Sequence, residues 1–411
     1  MERLDLEQNR TGSIFSVDTG HIGVPDGIRA LGVLCVLWFH FWQQTWLMPI
    51  YQTPFLAWAG ISRINPDVVR RVGYLCVDLM ILLSAFVLYL PYAKNTFFGQ
   101  PIDPVKRFYQ KRIARIVPSY LLAVIVMFTV AMATGAYDGK HAFALKDLLT
   151  HLTFTEMLFN DTYLFTEITP VMWTVCIEVA LYLIFPLLAR VFQKRPLLIY
   201  AGMMLCGIWF AVCVTPIIGE PRVTVNRFLT FLPVFANGMM AAQLYIWYAK
   251  RVRHKAIPSI LGTIAAIAAL YVIFRLFRAC AATGSAGEQQ VWQLRYRAIL
   301  SFAFTVFLLG MSISMRPIRK VLDNRVLSAV AAVSYNLYLW HQWLIVRLCK
   351  AFGAKSGADI AAGGATMQWT VTIIGLALAC TVAILITYGF EKPMARLILH
   401  TGKENKTCIT Q

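Results

Sequence analysis

Four ionisable residues lie within long apolar stretches of the sequence: His40, Asp78, Glu178 and His341. An ionisable side chain in a membrane span is costly unless it is paired or reaches water, so each one is a candidate for function. An imidazole near carboxylates suits general-base chemistry, because a carboxylate fixes the tautomer of the ring and stabilises the imidazolium. This pattern favours a catalytic His40, whereas Asp78 and His341 fit a packing role equally well.

The four residues are expected at similar depths in the membrane. If both termini lie on the cytoplasmic side, His40 lies ~18 Å along the first helix. Asp78 and Glu178 then lie near the outer ends of helices that run inward, and His341 reaches a similar level. The sequence therefore predicts one layer of titratable side chains in the outer half of the membrane.

Arginines are expected at the cytoplasmic ends of the first and third helices. Arg29 precedes His40 by eleven residues, which places both on one helix face ~16 Å apart. Arg112 and Arg115 share a face at the cytoplasmic end of the third helix, and a guanidinium group suits phosphate. Together with Lys111 they predict an anionic-ligand site at the cytoplasmic surface. A flank that contacts lipid headgroups explains Arg112 and Arg115 as well.

Membrane helices must position these side chains. The 411 residues are 58% hydrophobic and 14% charged, against roughly 25% charged in a soluble domain. A spanning helix needs roughly 20 apolar residues. By that criterion the sequence predicts an all-α bundle of about ten transmembrane helices, near 28–47, 74–92, 114–134, 171–189, 196–216, 228–248, 258–277, 297–315, 327–347 and 369–389.

The distribution of charge predicts the topology. Lys and Arg concentrate in alternate connections, so both termini are expected to be cytoplasmic. The predicted division is a cytoplasmic segment 1–26, a transmembrane domain 27–392 and a short cytoplasmic tail 393–411. The net charge of +18 is explained by topology and lipid contact, and no nucleic-acid partner is expected. The nine cysteines lack metal-ligand spacing, so no metal site is predicted.

Two predicted outer loops are long, at 135–170 and 278–296. The first contains an amphipathic stretch, 145–165, which fits a re-entrant or interfacial segment over a site. A surface loop explains it equally well. The second is rich in Ala, Gly and Gln.

Several motifs resemble those of the membrane acyltransferase 3 family, which includes bacterial O-acetyltransferases of surface polysaccharides. The spacing of Arg29 and His40 matches the family's hallmark in the first helix, an Arg, ten residues and a His. Further matches are Val77-Asp78 through Phe86, Tyr109 through Tyr120, Met172 through Glu178, Ser334 through His341, and Glu391-Lys392-Pro393.

Three positions depart from the family's pattern. Ala85 replaces the usual Gly, and Cys176 stands where Ser is common. Val179 stands where a second Glu often follows the first, so Glu178 is left without a neighbouring carboxylate at that turn. This departure weakens any mechanism that needs a carboxylate pair there.

The resemblance implies transfer of an acyl group, commonly acetyl from acetyl-coenzyme A, to a hydroxyl of a cell-envelope carbohydrate or related acceptor. Acyl-CoA would be a co-substrate and not a bound cofactor. We predict that His40 is the general base and that Glu178 orients it or balances its charge. The predicted donor-binding residues are Arg29, Arg112 and Arg115. The predicted pocket residues are Asp78, Ser84, Tyr120, Trp173, Tyr335 and His341.

Alternatives remain open at the level of sequence. Direct transfer and a transient acyl-His40 intermediate fit equally well. A transporter or flippase of an anionic or lipid-linked sugar could use the same residues as a proton relay, and a sensor could bind an acyl donor without chemistry. The expected location is the plasma (inner) membrane of a bacterium, and the sequence does not indicate an oligomeric state.

Overall fold

The computed structural model describes residues 23–47, 51–52, 57, 63–64, 67–252 and 256–404. Strands β1 (Tyr51–Gln52) and β2 (Arg63–Ile64) form a short antiparallel pair, and helices make up most of the rest. The α-helices are α1 (Val24–Thr45), α2 (Asp67–Val72), α3 (Cys76–Phe98), α4 (Val105–Ala133), α5 (His141–Leu152), α6 (Asn160–Leu164), α7 (Trp173–Lys194), α8 (Pro196–Trp209), α9 (Thr215–Ile218), α10 (Pro221–Thr224), α11 (Leu232–Arg251), α12 (Ala256–Ala281), α13 (Ala286–Ile313), α14 (Arg316–Arg319), α15 (Arg325–Ala351), α16 (Gly357–Ala362), α17 (Gly364–Ile386) and α18 (Lys392–Glu404).

The predicted membrane helices are present. Nine helices in the described ranges are long and apolar enough to cross a membrane, and each contains or overlaps one predicted segment. The remaining predicted segment, 327–347, lies within α15, whose 27 residues extend ~40 Å. Its buried polar residues, such as Asn336 and His341, make α15 less apolar than the others. The prediction of an all-α bundle of about ten helices is therefore confirmed.

The core of the bundle surrounds α3, the most buried of the nine spans. It packs against α11, where Gly238 lets the helix backbone approach Leu82 so closely that a side chain would collide. α15 packs against both α1 and α17. By contrast, α8 is largely exposed and covered with apolar side chains, as expected of a helix that contacts lipid.

The prediction of an outer loop at 278–296 is wrong for most of that segment. α12 continues to Ala281 and α13 begins at Ala286, so the connection is short. Ser285 Oγ accepts a hydrogen bond from Glu288 N at 3.3 Å, and the Glu288 carboxylate accepts one from Ser285 N at 3.0 Å. This capping box starts the helix. The glutamines that suggested a loop belong to α13 and line a cavity.

The segment 135–170 is a folded substructure and not a plain surface loop. Its helix α5 carries Asp147, a fully buried carboxylate. Asp147 Oδ2 accepts hydrogen bonds from Tyr137 Oη at 2.6 Å and Thr166 Oγ1 at 3.0 Å. His151 Nδ1 donates to the Asp147 carbonyl oxygen at 2.8 Å. One buried residue thus links the two ends of the segment.

The side of the membrane on which the termini lie remains a prediction, as does the division into 1–26, 27–392 and 393–411. Most of the predicted N-terminal segment, residues 1–22, lies outside the described residues. The same holds for residues 405–411 of the predicted tail.

Candidate active site

A cavity of about 780 Å³ lies at the C-terminal end of α1 and is called here the histidine cavity because His40 lines it. Its size is typical of small-molecule sites, roughly 300–1,000 Å³. Its aromatic lining side chains are Phe39, Trp42, Trp46, Tyr74, Trp173 and Tyr338. Its amide lining side chains are Gln43, Gln44, Asn226, Gln289, Gln290, Gln293 and Gln342.

Several polar atoms of this lining are unpaired. Gln290 Oε1, Gln342 Oε1 and Trp42 Nε1 are buried and have no hydrogen-bond partner among the described residues. Arg71 also lines the cavity and donates to the Ala281 carbonyl oxygen at 3.3 Å. Because buried polar groups are normally hydrogen-bonded, two free acceptors and a free donor suit a ligand with hydroxyl groups.

His40 is held in one tautomer. Gln43 follows it on the same face of α1, and Gln43 Oε1 lies 3.0 Å from His40 Nδ1. An amide oxygen only accepts hydrogen bonds, so Nδ1 carries the proton and donates it. Nε2 of His40 is then the atom with a free lone pair, which is the form required of a base or nucleophile.

His341 packs beside His40, with 5.1 Å between the ring centroids. It is fully buried on α15, and its Nδ1 donates to the Tyr338 carbonyl oxygen at 2.7 Å. Its Nε2 has no hydrogen-bond partner among the described residues. The structure therefore brings together the two histidines that the sequence placed at similar depth.

A second, narrower cavity of about 80 Å³ lies nearer the N-terminal end of α1 and is called here the arginine cavity. Arg29, Arg112 and Arg115 all line it, so the three predicted donor-binding residues meet in space. Glu178 lies among them in the same lining. The lining thus carries more positive than negative charge.

Arg112 has a donor available in the arginine cavity. Its Nε is buried without a hydrogen-bond partner in the described ranges, while its guanidinium lies 5.7 Å from the ring centroid of Tyr182. Tyr182 Oη in turn lies 3.0 Å from Ser84 Oγ. Tyr335 Oη donates to the Ile116 carbonyl oxygen at 3.0 Å. An anionic ligand would satisfy the free donor of Arg112.

A depression of about 250 Å³ adjoins the arginine cavity, with Arg29 and Arg115 in both linings. Asp26 and Glu391 also line it. Glu391 ends a π-helical turn and accepts a hydrogen bond from Asn336 Nδ2 at 2.5 Å. The closing motif that begins at Glu391 therefore lies beside the arginines, although the sequence analysis assigned it no role.

Glu178 has different neighbours from those predicted. It lines the arginine cavity on α7, whereas His40 lines the histidine cavity and has Gln43 on its Nδ1 side. Two members of the predicted layer of titratable groups, His40 and Glu178, thus line different cavities. An amide occupies the orienting position that the sequence analysis gave to a carboxylate.

Asp78 forms a separate ion pair outside both cavities. Its Oδ2 lies 3.0 Å from Arg297 Nε, and both side chains are buried. Arg297 also donates to Thr230 Oγ1 at 2.6 Å and lies 4.1 Å from the ring centroid of Phe231. These contacts join α3 to α13 and support the packing role that the sequence left open for Asp78.

Of the remaining predicted pocket residues, three line a cavity and one does not. Trp173 lines the histidine cavity, and Ser84 and Tyr335 line the arginine cavity. Tyr120 lies elsewhere, where its Oη donates to Glu156 Oε1 at 3.5 Å. Burial raises the pKa of the Glu156 carboxyl. Tyr120 therefore joins the buried network of segment 135–170 and lies outside both cavities.

Sequence reasoning missed the amide side chains. Gln43 follows His40 by three residues, a helical spacing that could have identified it as a partner. Gln290 and Gln293 have the same spacing, but they fell within a predicted loop. Gln342 directly follows His341 and gave no periodic signal.

Comparisons with known proteins identify the family of the chain. The model of the acyltransferase domain family, acyltransferase 3, matches residues 22–388. A putative acetyltransferase, ORF330, of Acidianus two-tailed virus is 25% identical over 345 residues, which cover 81% of this chain and 86% of that protein. The peptidoglycan O-acetyltransferase OatA of Listeria monocytogenes is 22% identical over 346 residues, which cover 78% of this chain and 49% of that protein.

The chain thus spans about half the length of the Listeria relative. No solved structure matches it. The family model covers most of the chain, including the helices that line both cavities. The chain therefore belongs to the acyltransferase 3 family, and it is a multi-pass membrane acyltransferase.

Proposed function

We propose that the protein transfers an acyl group, acetyl in the first instance, from acyl-CoA to a hydroxyl of a cell-envelope carbohydrate. One observation carries this proposal: α1 lines both cavities, with Arg29 in the arginine cavity and His40 in the histidine cavity. Their separation along the helix is ~16 Å. A donor with phosphates at one end and a thioester on a long flexible arm fits that geometry.

The donor phosphates bind at the arginine cavity and the adjoining depression. Arg29 and Arg115 line both, and Arg112 contributes the unpaired Nε. Guanidinium groups bind phosphate oxygens through directed, charge-assisted hydrogen bonds. Glu178 lies among the three arginines, and its carboxylate form would offset part of the repulsion between their charges when the donor is absent.

The acceptor hydroxyl binds in the histidine cavity. His40 Nε2 removes the hydroxyl proton, the oxygen attacks the thioester carbonyl, the C–S bond breaks, and the proton passes to the thiolate sulfur. A transient acyl-His40 uses the same Nε2 as the nucleophile. In both routes Gln43 keeps the proton of His40 on Nδ1.

The lining of the histidine cavity supports a carbohydrate acceptor. Its aromatic rings and amide groups offer flat apolar surfaces together with hydrogen-bond donors and acceptors. The Listeria relative is named a peptidoglycan O-acetyltransferase, which supports an acceptor in the cell envelope. With cytoplasmic termini the arginine cavity faces the cytoplasm of a bacterium, where acyl-CoA is made, and the histidine cavity lies toward the outer face of the plasma membrane.

The test uses the full chain in nanodiscs with acetyl-CoA and pooled cell-envelope glycans. Free-thiol release and acyl transfer to glycan are measured for the wild type, His40→Ala and Arg29→Ala. Exposed residues provide matched controls, His141→Ala and Arg251→Ala. Glycan-dependent thiol release that only the two cavity variants lose supports the proposal. Folded wild-type protein that releases no thiol in nanodiscs but moves a glycan across the bilayer of proteoliposomes contradicts it and supports the transporter.

A further inference from the structure

The two cavities share part of their walls. Val77 on α3 and Tyr338 on α15 line both the arginine cavity and the histidine cavity. Each side chain is only 5% exposed. Tyr338 Oη donates to the Val171 carbonyl oxygen at 3.3 Å, which holds the ring in place. An apolar side chain and a fixed aromatic ring therefore form the partition between the two cavities.

The proposed reaction requires the donor to pass this partition. Arg29 and His40 lie on opposite sides of it on one helix, so the reacting carbonyl must travel from the arginine cavity toward His40. The acyl group is the leading end of the donor and meets Val77 and Tyr338 first. The contact therefore occurs at the part of the donor that differs between acetyl-CoA and larger acyl-CoA thioesters.

The arginine cavity is the smaller of the two cavities. Its volume is about 80 Å³, against about 780 Å³ for the histidine cavity. Packed helices resist expansion, because protein interiors are as dense as organic crystals. Passage of a branched acyl group would therefore require these packed side chains to move apart.

We infer that Val77 and Tyr338 form an acyl gate that limits the donor to small acyl groups. This inference rests on the proposed function and adds its donor specificity. The carbon count makes it testable, because isobutyryl has two more methyl-sized carbons than acetyl, and replacing Val by Ala removes two methyl groups. Val77→Ala thus opens about the space that isobutyryl needs.

The experiment compares acetyl-CoA, butyryl-CoA and isobutyryl-CoA as donors for the wild type and Val77→Ala. We expect the ratio of kcat/KM for isobutyryl-CoA to that for acetyl-CoA to rise roughly tenfold or more, since one methylene in a tight pocket changes selectivity by 10–200-fold. Tyr338→Leu opens the other side of the gate and should raise the same ratio. Val234→Ala is the matched control, a valine buried on α11 outside both cavities.

The outcomes separate the gate from the proposed function. If the wild type turns over acetyl-CoA but both gate variants keep the wild-type donor ratio, the gate is wrong and the transfer reaction stands. Folded gate variants that use none of the three donors also contradict the gate, because widening should preserve passage of acetyl. A wild type that consumes no thioester contradicts the proposed function itself.

Discussion

The imidazole rings of His40 and His341 lie 5.1 Å apart, and each donates its Nδ1 proton to an oxygen acceptor. His40 faces the histidine cavity, whereas His341 is fully buried behind it. In the described ranges the acceptors are an amide oxygen for His40 and a backbone carbonyl oxygen for His341, and neither is a carboxylate. The pair therefore differs from an acid–histidine dyad, in which a negative charge compensates the imidazolium.

This arrangement makes His341 a positioning residue for His40. We expect His341→Phe, which keeps a ring at the contact, to lower kcat about tenfold while KM for acyl-CoA stays within twofold, since a small misplacement of a base is costly. Steady-state kinetics on the purified variant measure both constants. A rise in KM at constant kcat would place His341 in donor binding instead.

Gln43 is expected to control the tautomer of His40. Gln43→Leu removes the acceptor for Nδ1–H, so the proton can move to Nε2 and block the base. We expect kcat to fall by about 10²-fold or more, by analogy with the loss when a triad histidine adopts the wrong tautomer.

A matched variant separates orientation from packing. Gln43→Glu restores an oxygen acceptor and supplies a charge, so it should recover most of the activity and change the pH dependence of kcat. The readout is a pH–rate profile for the wild type and both variants. Equal losses in Gln43→Leu and Gln43→Glu would show that the amide acts through something other than its oxygen.

Asp78 and Arg297 are expected to matter for stability. Removing one partner of a buried ion pair typically costs about 3–5 kcal/mol, because the other charge is left uncompensated. Asp78→Asn should therefore lower the thermal unfolding temperature, and the activity of the fraction that remains folded should persist.

The double variant Asp78→Asn with Arg297→Gln checks the cause of that loss. Removing both charges should restore much of the lost stability, which thermal unfolding in detergent measures. A double variant that is as unstable as the sum of the single variants would mean that the two charges act independently. A stable but inactive Asp78→Asn would return Asp78 to the catalytic candidates.

The helices could be predicted from the sequence because membrane spans are long apolar runs. The shared helix face of Arg112 and Arg115 could be predicted from the helical repeat as well, whereas their meeting with Arg29 in the arginine cavity is a finding of the structure. The partner of Glu178 could not be predicted, because the rotation of α7 against α1 depends on packing between helices. The glutamines of α13 were missed because their polarity resembled that of a loop.

Segment 135–170 should make the stability of the protein depend on pH. Burial alone lowers the pKa of His151, but hydrogen bonding to Asp147 and the charge of Glu156 outweigh it, so the pKa is raised. A histidine whose pKa is raised by folding stabilises the folded state at pH values below its unfolded-state pKa of about 6.5. This stabilisation is lost as the pH rises through its folded-state pKa. Burial raises the pKa of Glu156, which acts with the same sign and begins at its unfolded-state pKa of about 4.3.

We therefore expect the unfolding temperature of the wild type to fall by a few degrees as pH rises from about 6.5 into the alkaline range. His151→Gln should flatten this slope, because its amide keeps hydrogen-bonding capacity without titrating. His141→Gln is the control, since His141 is exposed on the same helix α5. Thermal unfolding across that pH range measures all three proteins. If His151→Gln keeps the wild-type slope, the pH dependence arises from groups outside this buried network.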